Sequence, residues 1–508
     1  MEPPTSCTHC VALLQTESSL PPIPSDILST NRPPLDTEIL CIRDVVAAEK
    51  TRKTRLDAQI AALRSSLKKL IADRDSLKEE IRLHEGTLSP LRRMPTELLS
   101  LVFKSAAVPD KDPAPWTISQ VCRRWRAIVV SQPSFWASIF LDFQFEDTYS
   151  ITRSRLEGQL QRTGNLPLNV VFACRNGYFE YTERELDLLG LVASQSVRWE
   201  SIRIAAPLSI FSALAGVRGR LPLLRKIEIL AHPSDAEEHS VNIFEFAPKL
   251  EQASVNPSGR PITAVLPFPQ LLQYVAHNTW NGHLHSLRSA LNLVECALEF
   301  TEISTPPTTL ITLPHLLRLS ISKSNFLECL DVPKLQELYC CPQSDHLSSL
   351  LRRRPHSLRK LVMPRASVTD VAGILRSVPA LTDIGIFIPE SSADVLVSLL
   401  TIRNATADVG PNLRSIHIGS SREEPRAASA FTLAMSLHGW QNSLVDMVES
   451  RWRGGQLRSI TLPDFRRHQD HERLVRLEGE GLNIQFSPRH RRDDLDMIPT
   501  ALRLRIYH

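Results

Sequence analysis

The sequence predicts an all-α N-terminal part followed by an α/β array of short repeats. Three observations carry this. Leucine and isoleucine recur at heptad spacing between residues 37 and 89. Residues 91–139 carry apolar stripes at helical period on either side of a proline-rich loop. After residue 196 a motif of the form Leu-x-x-apolar-x-apolar returns ten times. At 508 residues the chain is too long for one ordinary core, and a repeat array accounts for that length.

Residues 1–36 are rich in Pro, Ser and Thr without a sustained apolar period, which predicts a disordered N-terminus. A long helix is expected over 37–89. Ile60, Leu67, Ile81 and Leu88 are multiples of seven apart, as are Leu56, Leu63, Leu70 and Leu77. The two series interleave by three and four, the a/d spacing of a coiled-coil seam. Arg74 takes one a position and His84 one d position; Glu49 and Lys53 weaken the seam upstream, where Ile39, Ile42 and Val46 restart it. Two readings stay open: a coiled coil that dimerises or docks a partner, and a solitary amphipathic helix packed on its own chain.

In 91–139, Pro95 suits a helix start, because its missing N–H would find no partner there. Leu98, Leu99, Val102 and Phe103 then form one apolar stripe. A loop with Pro109, Pro113 and Pro115 follows. Thr117 is expected to cap a second helix with Ile118, Val121, Cys122, Trp125, Ile128 and Val129 on one face. Pro133, Phe135 and Trp136 open a third turn. Three helices in about fifty residues bury little core, so a unit of this size calls for a partner's surface.

The repeat array is assigned to 140–488. Its first stretch, 141–186, is the hardest to read, although PLNVVFAC at Pro167 reads as a strand of an atypical first repeat that closes the array's open end. The motifs start at Leu224, Leu250, Leu271, Leu293, Leu316, Leu335, Leu358, Leu381, Leu413 and Leu457, with a variant at Trp199. Their spacings run from 19 to 26 and then widen to 32 and 44. The last two apolar positions alternate like a short strand with one buried side. Between strands, DHLSSLLRRR and VTDVAGILRSV read as helices stopped at Pro355 and Pro379. The wide gaps imply inserted helices around Thr432 to Val448, Gly479 to Phe486 a final strand, and 489–508 a tail or cap. Residues between the two apolar strand positions face away from the core. They include Arg203, Glu228, Ser254, Ser320, Tyr339, His417 and Thr461, the candidate contacts for a protein substrate of unknown identity. A register error of one residue reverses this assignment.

Composition excludes several classes. Arg43 to Arg93 holds 13 Lys/Arg against 8 Asp/Glu, leaving 46 against 47 elsewhere. The repeat part therefore has no basic surplus for nucleic acid. Nine scattered cysteines and the lack of a signal peptide fit a reducing compartment, cytoplasmic or nuclear. No apolar run reaches the roughly 18 residues of a membrane span. Phosphate-binding glycine loops, the GxSxG elbow and HExxH are missing, so no cofactor and no catalytic residues are assigned. Cys7, His9 and Cys10 lack a fourth zinc ligand nearby, and His277, His283 and His285 lack Cys or carboxylate companions, so no metal is assigned. Arg352 to Arg354 suits a helix C-terminus, and Arg489 to Arg492 a surface tail.

The residues then carry a resemblance. MPTELLSLVF resembles the first helix of an F-box, with Met94 where Leu usually precedes the Pro, and VCRRWRAIV followed by PSFW is similar to the rest. The chain resembles F-box proteins of the type abundant in basidiomycete fungi, where a coiled coil often precedes the box. The resemblance implies a non-enzymatic subunit: the box docks a Skp-type adaptor, and through it a cullin, while the remainder selects a substrate for ubiquitin transfer. Carried over by position, the adaptor-docking candidates are Pro95, Leu98, Leu99, Val102, Phe103, Val121, Cys122, Trp125 and Trp136. Some of them must instead form the box's own core. The array resembles an irregular leucine-rich-repeat solenoid, with strands on a concave face and helices outside; the usual Asn or Cys after the strand is mostly absent. The alternatives are a ligase-independent interaction scaffold and an enzyme on a repeat or α/β framework.

Overall fold

A computed structural model describes residues 23, 25–106, 114–142, 149–174, 182–230, 240–257, 261–301, 309–340, 344–353, 357–364, 366–388, 392–403, 409–420, 439–463 and 471–487. Most of the expected disordered N-terminus and the whole 489–508 tail lie outside these. The chain divides into two compact units, residues 1–99 and 100–508.

In the first unit a short helix, Ser25–Ser29, precedes a single helix of 52 residues, Asp36–Thr87. Nothing in that span breaks it: no proline occurs and its one glycine, Gly86, lies at the end. Glu38 in the first turn accepts from the Leu35 N–H at 2.7 Å and from Arg32 at 3.1 Å, placing negative charge at the positive end of the helix dipole. Pro90, which suits a helix start, opens the separate turn Pro90–Arg93. Val45 is the buried residue of the long helix; the heptad leucines and isoleucines from Leu56 to Ile81 are exposed.

The second unit is built on one sheet of fourteen parallel strands in chain order. The first three are Ser138–Asp142, Leu168–Ala173 and Trp199–Ala205. A strand then follows at every motif, from Lys226–Ile229 to Ser459–Pro463, and Asn483–Ser487 closes the series. The chemistry repeats each time. The leading leucine is buried, the strand begins two residues later, and its apolar pair, such as Leu319 and Ile321 or Leu338 and Cys340, enters the core. Parallel neighbours need a crossover, and several crossovers are helical, as in Ser344–Arg353, Val368–Ser377 and Ala393–Leu400. Leu347, Val371, Ile374 and Leu396 from these helices pack into the same core.

The widest gap holds the helix Gly439–Arg453. Its Arg451 donates from Nε to Leu400 O at 2.6 Å, from Nη1 to Gly410 O at 2.9 Å and from Nη2 to Val409 O at 2.7 Å. Burial pushes its pKa down to about 10, which still leaves it charged at neutral pH. Three carbonyl acceptors hold that buried cation. The strand Ser138–Asp142 and the helix Tyr149–Arg162 had no counterpart among the expected elements. That strand straddles the boundary expected at 139/140.

Candidate functional site

The first helix of the 91–139 stretch runs from Thr96 to Ala106, directly after Pro95. Helical period puts Leu98, Leu101 and Val102 on one face, and all three are about half exposed, at 50, 59 and 48 %. Leu99 and Phe103 are buried. The second helix differs from its expected form. It starts at Ala114 rather than at a Thr117 cap and ends at Val121; a third, Arg123–Val130, follows. Cys122 is the break: its backbone is extended, and its Sγ caps the next helix by accepting from Trp125 N at 3.5 Å. A continuous apolar face over Ile118 to Val129 is thereby split. Ile128 and Val129 are buried, whereas Val121, Cys122 and Val130 face solvent.

Aromatic rings pin these short helices. Trp125, half-buried, tilts against Phe103 with ring centroids 4.7 Å apart. Trp136 is buried, donates from Nε1 to Val129 O at 2.9 Å, and meets Trp116 edge-on at 4.9 Å. The Arg162 guanidinium lies 4.9 Å from the Trp116 ring and 4.8 Å from the Trp136 ring. Gln159 donates to Trp136 O and Ser138 O at 3.1 and 2.8 Å. The nine docking candidates thus sort themselves. Leu99, Phe103 and Trp136 are core, and Pro95, Leu98, Val102, Val121 and Cys122 are exposed, with Trp125 between the two classes. Leu101 and Val130 were missed, although Leu101 stands three residues after Leu98 at helical spacing.

The seven substrate candidates also fall into a geometric relation. Arg203 pairs with Glu228, Glu228 with Ser254, Ser320 with Tyr339 and His417 with Thr461 across neighbouring strands. Val275, Ala297, Val362 and Gly385 fill the remaining places, so all seven share one row across the sheet. The row faces away from the core, as strand alternation requires. Part of it is nevertheless buried: Ser320 and Tyr339 at 0 % and His417 at 6 % exposure, against half-exposed Arg203, Glu228, Ser254 and Thr461. Neighbouring side chains cover them. The Lys360 ammonium sits 5.4 Å from the Tyr339 ring centroid, the Tyr339 hydroxyl donates to Glu337, and Phe387 tilts against His417 at 5.1 Å.

What this face presents to solvent is the row one step toward the strand starts. Lys226, Gln252, Gln273, Glu295, Arg318, Glu337, Lys360 and Asp383 pair in that order. From Glu295 onward the signs alternate. Arg318 bridges Glu295 and, at 3.4 Å, Glu337, while Glu337 reaches Lys360 at 4.0 Å. Sequence reasoning missed this row, but its signal lies in the motif: the third position of each of the ten repeats is polar.

Deeper in the sheet region, His283 is buried with Nε2 at 2.9 Å from Glu299 O, and desolvation holds its pKa at about 4. It packs on Phe300 at 4.7 Å and is part of the core rather than a ligand. Among the described residues, no three His, Cys, Asp or Glu are grouped to hold a metal ion, and no helix is long and apolar enough to cross a membrane. Cys7, His9, Cys10 and Arg489 to Arg492 lie outside those residues.

No curated protein matches the chain. Its helical stretch does match a family model: residues 91–142, from Leu91 through the first strand of the sheet, are an F-box-like domain.

Proposed function

We propose that this chain is the substrate-selecting subunit of an SCF-type ubiquitin ligase. One observation carries the reading: an F-box-like domain whose helices leave Leu98, Leu101, Val102, Val121 and Val130 in solvent. Exposed apolar side chains concentrated in so small a domain mark a surface meant for a partner. F-box domains generally bind Skp-type adaptors, which bring in the cullin, and the exposed residues are the anchors for that contact. The parallel-strand region, read as a leucine-rich-repeat-like solenoid, holds the protein substrate. Its contact face is the charged row from Lys226 to Asp383 together with the accessible members of the row beside it, Arg203, Glu228, Ser254 and Thr461. The chain itself performs no chemistry in this scheme.

The test is co-expression of the full chain with a Skp-type adaptor, followed by pull-down and size exclusion. Leu98→Glu with Val121→Glu changes two exposed positions and should weaken capture by about 30-fold or more. The sheet's unfolding midpoint should not move. Leu98→Ala with Trp125→Ala should abolish capture as well, with added loss of local packing because Trp125 rests on Phe103. Wild-type capture by the Leu98→Glu/Val121→Glu variant would refute the assignment. A well-folded wild type that ignores the adaptor would favour the ligase-independent scaffold.

A further inference from the structure

The helix Asp36–Thr87 carries a seam that nothing in the described chain covers between Val46 and Leu77. Val46, Leu56, Ile60, Leu63, Leu67, Leu70 and Leu77 are 37 to 66 % exposed. Upstream, Ile42 is half-buried and Val45 buried within the chain, so that end is already occupied. Exposed residues with a/d spacing fit another helix, and the charges within the seam say which one and in what direction.

Glu49 stands at a d position and Lys53 and Arg74 at a positions. In a parallel, in-register pair every core residue faces its own copy. Glu49 would then meet Glu49, Lys53 meet Lys53 and Arg74 meet Arg74, three like-charged layers in the core. An antiparallel pair instead sets each a residue against a d residue. With the two helices overlapping about their common centre, Ile60 faces Leu63, Leu67 faces Leu56, Val46 faces Leu77, and Arg74 faces Glu49. Both copies contribute each pairing, so the ion pair occurs twice. Lys53 falls opposite Leu70, with its ammonium held at 3.3 Å by its own Asp57. The flanks agree: Arg52 comes beside Asp73, and Asp57 beside Arg64. No like-charged pair lies inside the segment; Arg43 and Lys78 meet just beyond it. A slip of one heptad in either direction puts Arg74 against Leu56 or Ile42 and leaves its guanidinium only its own Asp75, at 2.6 Å, as an ion-pair partner.

We propose that residues Val46–Leu77 form an antiparallel two-stranded coiled coil with a second copy of this chain. The shared seam is about 48 Å long. This inference stands apart from the adaptor-binding reading and fails or holds without it.

Sedimentation and light scattering on the full chain test it. Wild type should be a dimer. Glu49→Arg and Arg74→Glu should each weaken dimerisation about tenfold or more, because each puts like charges in a core layer. The chain carrying both substitutions should regain wild-type affinity. A parallel dimer would respond to none of them, since each replaces one like-charged layer with another. Mild oxidation adds orientation, against wild type as the background. Leu56→Cys should not cross-link to itself but should cross-link to Leu67→Cys when the two proteins are mixed and exchanged. A monomeric wild type, single variants that dimerise normally, or self-linked Leu56→Cys would each overturn the proposal. All these positions are exposed, so loss of fold does not confound them.

Discussion

Leu63 and Leu319 are the same residue in opposite circumstances. Leu319 is wholly buried among the strands and helices of the sheet region, while Leu63 projects from the long helix at 62 % exposure. Each belongs to a regular apolar series, a heptad in one case and a repeated strand motif in the other. The difference lies in who supplies the opposite wall. A strand repeat is covered by the next repeat of its own chain, so the sheet region is complete in itself. A heptad seam is covered only by another helix. Regular apolar patterning therefore announces burial, and where no described part of the chain supplies the covering surface, the proposed second copy would supply it.

That contrast can be broken or sharpened by experiment. The largest effect should come from Leu319→Ala, which empties a site with no exposure and should cost about 4 kcal/mol. It is read as a lowered denaturant midpoint of the sheet region with unchanged slope. Next in size is acid sensitivity. The pKa of His283 in the folded chain is about 4, against an ordinary 6.5. Between these values the unfolded chain binds a proton that the folded chain refuses. The contribution is therefore fully present above pH 6.5 and lost as pH falls toward 4, by about 3 kcal/mol in all. Denaturation at neutral pH and near pH 4 should show that loss in wild type and a flatter response in His283→Gln. The smallest effect should come from Leu63→Ala, which should move the sheet's unfolding free energy by less than about 0.5 kcal/mol. A larger shift, measured on the same transition, would mean that the long helix supports the sheet and that the contrast is false.

Much of the strand series could be read in advance because the motif fixes both the leading leucine and the apolar pair. Every anchor from Leu224 to Leu457 precedes a strand. Strand alternation also brought the seven outward positions into one register row. Their exposure was not legible, because it depends on neighbours from adjacent strands: nothing near Tyr339 in sequence says that Lys360 lies over its ring. In the F-box-like domain the pattern named the apolar residues but not their division into core and surface. For the second half of the domain that division involves the break at Cys122, where a thiol takes the capping role usually filled by Ser, Thr, Asn or Asp. The strand Ser138–Asp142 and helix Tyr149–Arg162 escaped because neither repeats the motif; Trp136, Gln159 and Arg162 hold them in place instead.

The alternating row Glu295, Arg318, Glu337, Lys360 and Asp383 also acts as a ruler. Its charge changes sign once per strand, about every 4.8 Å. An extended peptide laid across the strands repeats its same-side residues about every 6.8 Å and drifts out of phase within two or three strands. A helix laid the same way offers side chains three and four residues apart at about 5 to 6 Å, and keeps nearly in step. Because the row's own ion pairs already compensate one another, a visitor with the wrong periodicity meets as much repulsion as attraction. If this face holds the substrate, as proposed, it would discriminate by the wavelength of charge, not by its sign.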